Sequence, residues 1–130
     1  MSYNSYVDPR EREDIRAHQG ENVWVVLNHI RAEKREAFEY FVNSILMPAV
    51  AHVHPEVYNK IRILNPTRLN QDGTYTYVFL MDPVVPGGVY EFNAILHEYY
   101  KSELADEYIK IWYEALSAPQ VEYEMAQSAE

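Results

Sequence analysis

Residues 23–53 constrain the fold of this chain most strongly, because they predict a β-strand that runs directly into a long amphipathic helix. The strand has the sequence VWVVLNHI, and successive side chains of a strand point to opposite faces. Large apolar residues therefore occupy both faces, with Val23, Val25 and Leu27 on one and Trp24, Val26 and Ile30 on the other. A strand of this kind must be covered on both sides.

The helix after this strand is predicted to begin near Glu33, and its apolar residues recur at i, i+3, i+4 and i+7. They are Phe38, Phe41, Val42, Ile45, Leu46, Ala49, Val50 and Val53. Pro48 lies inside this pattern, where it removes a backbone hydrogen bond and clashes with the carbonyl of Ser44. We therefore expect a kink or a break at Pro48.

The rest of the chain predicts three more strands and a second helical region. Residues 58–68 form the second strand, and TYTYVFLM at 74–81 forms the third, after the turn sequence NQDG. Apolar stripes then predict helices over 92–99 and 104–116, with Ser102 as a cap between them. Alternating residues after Pro119 predict a final edge strand.

The order strand, helix, strand, strand, helix, strand predicts an α+β fold, the ferredoxin-like βαββαβ arrangement. Each βαβ crossover leaves room for one strand between its parallel pair, which gives a four-stranded antiparallel sheet of order 4-1-3-2. Residues 1–20 are interpreted as an N-terminal appendage with a short charged helix, and residues 21–130 as a single domain.

Composition narrows the classes of partner. A hydrophobic fraction of 48% predicts a packed domain, and a net charge of -9 argues against nucleic acid as a partner. The chain has no cysteine, which excludes disulfides and thiolate sites. No apolar run approaches membrane-spanning length and no targeting segment is recognisable. We therefore expect a cytoplasmic protein that does not bind membranes.

Both central strands of the predicted sheet are apolar on both faces, whereas the two helices can cover only one. The simplest cover for the second face is a second copy of the same sheet, so a homodimer is expected. At this point the sequence resembles the dimeric α/β-barrel superfamily, which includes antibiotic-biosynthesis-type monooxygenases, heme-degrading monooxygenases and stress-responsive barrel proteins. The resemblance covers roughly residues 22–125 and rests on VWVVLNHI, AFEYFVNSILMPA, YTYVFLM and EYYKSELADEYIKIWYEAL.

The resemblance implies a small molecule bound between sheet and helices. It points to Asn28 and His97 as candidate catalytic residues, since heme-degrading relatives use an asparagine on the first strand and a histidine on the second helix. The tryptophan that those relatives carry on the third strand is missing here, and no cofactor is expected. The candidate ligand-binding residues are Trp24, His29, Tyr77 and Trp112.

Several alternatives stay open from the sequence. Asn28 and His29 point to opposite faces of the first strand, and the pattern does not decide which one faces the helices. His97 could instead be a partly exposed structural histidine, and the pair His52 and His54 could bind a metal, although no third ligand is specified. Two functions fit: a cofactor-independent monooxygenase-like enzyme, or a non-catalytic ligand-binding or protein-interaction module.

Overall fold

The computed structural model of the protein describes residues 16–129, and its strands form one antiparallel sheet. They are β1 (Asn22–Arg31), β2 (Ile61–Leu64), β3 (Thr74–Met81) and β4 (Val121–Ala126). The strand order is β2-β3-β1-β4, which is the predicted order 4-1-3-2 counted from the opposite edge. The predicted α+β ferredoxin-like fold is therefore confirmed.

Helical segments connect the strands. A 3-10 turn, Ala32–Lys34, leads from β1 into the long helix, a name used here for three consecutive segments. These are α1 (Arg35–Tyr40), a π-helical segment (Phe41–Leu46) and α2 (Met47–Val53). A short helix, α3 (Pro55–Tyr58), precedes β2. After β3 come α4 (Phe92–Tyr99) and α5 (Ser102–Ala115).

The long helix passes Pro48 without the predicted break. Pro48 is the second residue of α2, and the π-helical segment ends immediately before α2. A π-helical turn shifts the backbone hydrogen bond from the fourth to the fifth preceding residue. The wider winding therefore accommodates a residue that has no N–H and whose ring crowds the preceding turn.

The second strand is shorter than predicted. It covers Ile61–Leu64 rather than residues 58–68, because Tyr58 belongs to α3 and the stretch around Pro66 contains no strand. Pro55 begins α3 with the fixed φ angle that suits a first helical turn. The predicted hairpin is confirmed, since β2 pairs antiparallel with β3.

One face of the sheet packs against the helices and carries the core. The helix-facing residues of β1 include Val26, Asn28 and Ile30, all of which are buried. Tyr77 and Phe79 of β3 are buried beside them, with 1% of each side chain's residue area exposed. The apolar stripe of the long helix covers these residues, as its spacing predicts: Phe38, Phe41, Val42, Ile45, Leu46, Ala49 and Val50 are buried.

The opposite face of the sheet, called here the open face, is apolar but only partly covered. Its residues from three strands are Val23, Val25, Leu27, Val78, Leu80, Val121, Tyr123 and Met125. In register across the sheet, Val25 lies between Leu80 and Tyr123, and Leu27 lies between Val78 and Val121. Tyr123 is 51% exposed and Met125 is 54% exposed.

The predicted N-terminal helix falls mainly on residues 1–15, which lie outside the described residues. Residues 16–20 are not helical, and their backbone is tied to the domain. The Ala17 N–H donates to Asp82 Oδ1 at 2.8 Å, and the other carboxylate oxygen of Asp82 accepts from Arg62. Among residues 16–129, no helix is long and apolar enough to cross a membrane.

Candidate functional site

Asn28 is the buried polar residue around which the candidate site is built. Its side chain faces the helices and is completely buried, with 0% of its residue area exposed. His29 faces the open side of the sheet, where its Nδ1 lies 2.8 Å from Thr76 Oγ1. The choice that the sequence leaves open is thereby resolved, because Asn28 looks toward the helix layer and His29 looks away from it.

Two side-chain donors fix the orientation of the Asn28 amide. Trp112 Nε1 lies 3.1 Å from Asn28 Oδ1, and Gln120 Nε2 lies 2.6 Å from the same oxygen. An indole nitrogen can only donate, so the Asn28 atom opposite Trp112 must be the oxygen. The amide nitrogen Nδ2 is consequently the free end of this side chain, and it has no hydrogen-bond partner.

An unpaired buried donor is expensive. Leaving one unsatisfied costs about 1–3 kcal/mol, and such groups are rare in native cores. The carbonyl oxygen of Asn28 already accepts from both Trp112 and Gln120, so its two lone pairs are used. The cost is therefore confined to the amide N–H groups of Asn28, which makes them the first candidates to contact a ligand.

A pocket of about 130 Å³ opens next to this amide, between the start of α4 and the end of α5. Its lining residues are Glu91, Phe92, Asn93, Ile109, Trp112, Tyr113, Leu116 and Gln120. Both donors to Asn28, Trp112 and Gln120, belong to this lining. Asn28 thus lies directly behind the side chains that bound the pocket.

Asn93 supplies a second unpaired polar atom at the same pocket. Its side-chain oxygen Oδ1 is buried without a hydrogen-bond partner. Its backbone groups are both used, since the N–H donates to Glu91 Oε1 at 3.0 Å and the carbonyl accepts from His97 Nδ1 at 2.9 Å. The pocket therefore combines an unused acceptor on α4 with an unused donor on the sheet behind it.

The walls of the pocket belong to an aromatic cluster. Trp112 packs against Phe92 and Phe79 with ring centroids 6.0 Å apart in each case, and against Phe41 at 5.6 Å. These tilted contacts fill most of the space between sheet and helices, where the sequence predicts a ligand. The open volume is therefore displaced toward the α4–α5 edge of that layer and is far from large enough for a tetrapyrrole.

Tyr77 lies beside Asn28 on the sheet but contributes to a different network. The two residues are paired in register on the helix-facing side, and the Tyr77 ring packs on Phe38 at 4.9 Å. The Tyr77 hydroxyl donates to Glu39 Oε2, an oxygen that also accepts from Arg35 Nε at 3.2 Å. Tyr77 therefore connects the core to a surface ion pair and does not line the pocket.

This network separates the acidities of its members. Burial, followed by the hydrogen bond to Glu39, raises the pKa of Tyr77 from 10.0 to about 12. The same hydrogen bond, seen from the other side, lowers the pKa of Glu39. Tyr77 is thus neutral and Glu39 ionised across the physiological range.

Tyr77→Phe is expected to flatten the loss of stability at high pH. The folded-state pKa of Tyr77 is raised, so its contribution to stability is complete below pH 10 and is lost as the pH rises toward about 12. The free energy of unfolding of the wild type should fall more steeply across that window than that of Tyr77→Phe. Urea titrations at several pH values measure this difference, with Tyr40→Phe, at a 59% exposed residue, as the control. Parallel curves for wild type and Tyr77→Phe would contradict it.

His97 does not meet Asn28, so the structure does not assemble the catalytic pair that the sequence suggests. Its ring is exposed on the outer side of α4, where Nδ1 lies 2.9 Å from the Asn93 carbonyl and Nε2 lies 2.8 Å from Asp106 Oδ1. Both partners only accept, so the doubly protonated imidazolium satisfies both bonds. The hydrogen bond to Asn93 and then that to Asp106 raise the pKa of His97.

A structural role for His97 predicts that its pKa depends on Asp106. In NMR titrations the His97 pKa should lie above the ordinary 6.5, and Asp106→Asn should move it back toward that value. Because the folded-state pKa is raised, the stabilising contact is complete below pH 6.5 and is lost as the pH rises through the pKa of His97. Glu107→Gln is the matched control, since Glu107 pairs with Lys110. An unchanged His97 pKa in Asp106→Asn would contradict this role.

The other residues predicted from the sequence lie apart from the pocket. Trp24 packs on the Tyr90 ring with centroids 5.2 Å apart, toward the loop after β3. His52 packs on Tyr99, whereas His54 Nε2 lies 3.1 Å from Glu98 Oε1, so the two histidines have separate partners. Within residues 16–129, no group of three or more histidine, cysteine, aspartate or glutamate side chains is arranged to hold a metal.

Three polar residues of the site escape the sequence-based prediction: Glu91, Asn93 and Gln120. Asn93 carries a usable signal, because it sits beside Phe92 and one turn before Leu96, at the edge of an apolar helical stripe. Gln120 carries none, since it follows Pro119 in a connection where polar residues are ordinary. Of the six predicted residues, the structure brings together two, Asn28 and Trp112.

Comparison with known proteins yields matches in structure alone. No protein-family model matches this sequence, and the search of curated proteins finds no similar sequence. A protein of Caulobacter crescentus CB15, provisionally named an antibiotic biosynthesis monooxygenase, matches with a TM-score of 0.47 and 11% identity over 90% of this chain and 97% of its own. The Rv0793 protein of Mycobacterium tuberculosis matches with a TM-score of 0.40 and 17% identity over 84% of this chain and 96% of its own. The likeness to both is one of backbone arrangement, in agreement with the dimeric α/β-barrel resemblance noted in the sequence.

Proposed function

We propose that this protein is a homodimeric α/β-barrel protein that binds a small aromatic molecule in the pocket beside Asn28. The observation that carries the proposal is the buried, unpaired Asn28 Nδ2 behind a pocket walled by Phe92 and Trp112. Small-molecule sites typically combine apolar aromatic walls with a few placed polar groups. The candidate ligand-binding roles of Trp24, His29 and Tyr77 receive no support, because none of the three lines this pocket.

Binding is better supported than oxygenation. A cofactor-independent oxygenase acting on a phenol or quinone-like ring must stabilise an anion of its substrate. The carboxylate that lines this pocket, Glu91, opposes such an anion and is engaged in capping α4. His97 is held by Asn93 and Asp106 on the outer side of α4. The enzyme hypothesis therefore lacks a base and a cation at the pocket among the described residues.

Self-association through the open face follows from its composition. Rows of apolar side chains cross three adjacent strands, and Leu64 on β2 is 45% exposed beside them. Contiguous apolar patches of this kind are uncommon on monomeric soluble proteins and mark interaction sites. A second copy of the same face is the simplest complement, because a two-fold axis pairs a patch with itself.

Ligand-observed NMR with toluene and phenol tests the binding proposal. Both probes should bind the wild type, since an apolar cavity of about 150 Å³ accepts benzene. Leu116→Phe fills the pocket and should weaken binding by about tenfold or more, whereas Leu104→Phe, on the same helix but outside the pocket, should leave it unchanged. Absence of binding to the wild type, or equal binding to Leu116→Phe, would sink the proposal.

A further inference from the structure

Two unpaired atoms at one pocket define a hydrogen-bonding pattern for its ligand. Asn28 Nδ2 is a donor whose side chain is completely buried, and Asn93 Oδ1 is a buried acceptor that lines the pocket. A ligand that satisfies both must present one acceptor and one donor. A plain hydrocarbon ring offers neither, and an ether or ketone ring offers only the acceptor.

The surrounding contacts leave these two atoms and not others for the ligand. Trp112 and Gln120 occupy both lone pairs of Asn28 Oδ1. Glu91 and His97 occupy the backbone N–H and carbonyl of Asn93. The hydrogen bonds around the pocket are thus complete except at one N–H group and one oxygen, which are contributed by the sheet and by α4 respectively.

Charge and size restrict the ligand further. The Glu91 carboxylate lines the pocket and the chain carries a net charge of -9, so an anion is disfavoured. A carboxylic acid, which has a donor and an acceptor when protonated, is ionised at neutral pH and falls under the same exclusion. A volume of about 130 Å³ admits one six-membered ring and its substituents, by comparison with the cavity of about 150 Å³ that holds benzene.

We infer that the ligand is a neutral one-ring amide of the pyridone type, an inference that rests on the function proposed above. Its ring carbonyl accepts from Asn28 Nδ2, its ring N–H donates to Asn93 Oδ1, and its flat face packs on Phe92 and Trp112. A ring amide carries a strong acceptor and a strong donor on one small uncharged frame, which is the complement of the two unpaired atoms.

Calorimetric titration of the full chain tests the inference with 2-pyridone and 4-pyridone, their N-methyl derivatives, and toluene. At least one pyridone should bind about tenfold or more tightly than its N-methyl form and than toluene, because each lost hydrogen bond leaves a buried partner unsatisfied. Asn93→Ala should remove the preference over the N-methyl form while leaving toluene binding intact. Asn28→Leu should remove the preference of pyridones over toluene.

The outcomes separate this inference from the proposed function. If toluene binds as tightly as both pyridones, or if Asn93→Ala keeps the full preference for the N–H form, the amide inference is overturned and the aromatic pocket stands. If no probe binds, both fall. Asn93 is only partly buried on α4, so Asn93→Ala provides the test even if Asn28→Leu does not fold.

Discussion

Val25→Glu is expected to convert the protein from a dimer into a folded monomer. Val25 lies at the centre of the open face, in register between Leu80 and Tyr123. In the proposed dimer a glutamate there would be buried without a partner, together with its symmetric copy. An uncompensated buried charge costs about 3–5 kcal/mol, so the dissociation constant should rise by more than about a hundredfold.

Sedimentation velocity at micromolar concentration measures this effect. Circular dichroism should report an unchanged fold, because Val25 points away from the helix-facing core. Leu104→Glu, at a residue of α5 that is 42% exposed, places the same charge on the helix side and should leave the dimer intact. A wild type that is already monomeric, or a Val25→Glu variant that stays dimeric, would refute the proposed assembly.

Trp112→Ala is expected to destabilise the domain by about 3–5 kcal/mol, the range for removing a buried tryptophan. Trp112 is 6% exposed and contacts Phe41, Phe79 and Phe92, so its removal leaves a cavity in the aromatic cluster. It also removes one of the two donors to the buried Asn28 oxygen. No other single truncation on α5 removes both a ring contact with the core and a hydrogen bond to the sheet, among the contacts described here.

Chemical denaturation of Trp112→Ala and Trp112→Phe separates the two contributions. Trp112→Phe keeps most of the ring packing and loses the hydrogen bond, so it should cost about 1–3 kcal/mol. Tyr113→Ala is the matched control, since Tyr113 is the next residue and is 59% exposed; it should change stability by less than about 0.5 kcal/mol. Equal losses in Trp112→Ala and Tyr113→Ala would contradict the central place given to Trp112.

The fold could be predicted because its determinants are local and periodic. The alternation of Val25 and Val26 in β1, and the stripe through Phe38 and Ile45 in the long helix, each assign residues to the correct face. Element order then gives the sheet order through the handedness of crossovers. The errors arose at prolines, where Pro48 is absorbed by a π-helical turn and Pro66 lies beyond a shortened strand.

The candidate site could be predicted only in part, because it depends on contacts between residues far apart in the chain. Periodicity places Asn28 and His29 on opposite faces, but which face meets the helices is decided by packing. The bond from Gln120 to Asn28 joins residues 92 positions apart, and Gln120 has no local signature. His97 was assigned a catalytic role by resemblance, whereas its position on α4 turns it toward Asp106.

The indole N–H signals of the two tryptophans test the central claim most directly. Trp112 Nε1 donates to Asn28 at the pocket, whereas Trp24 packs on Tyr90 outside it, so the chain contains its own control. In ¹H–¹⁵N spectra, assigned with Trp112→Phe, titration with 2-pyridone should shift the Trp112 indole signal to saturation and leave the Trp24 signal in place. A Trp112 signal that does not move, or a Trp24 signal that moves in its stead, would contradict a functional pocket at Asn28.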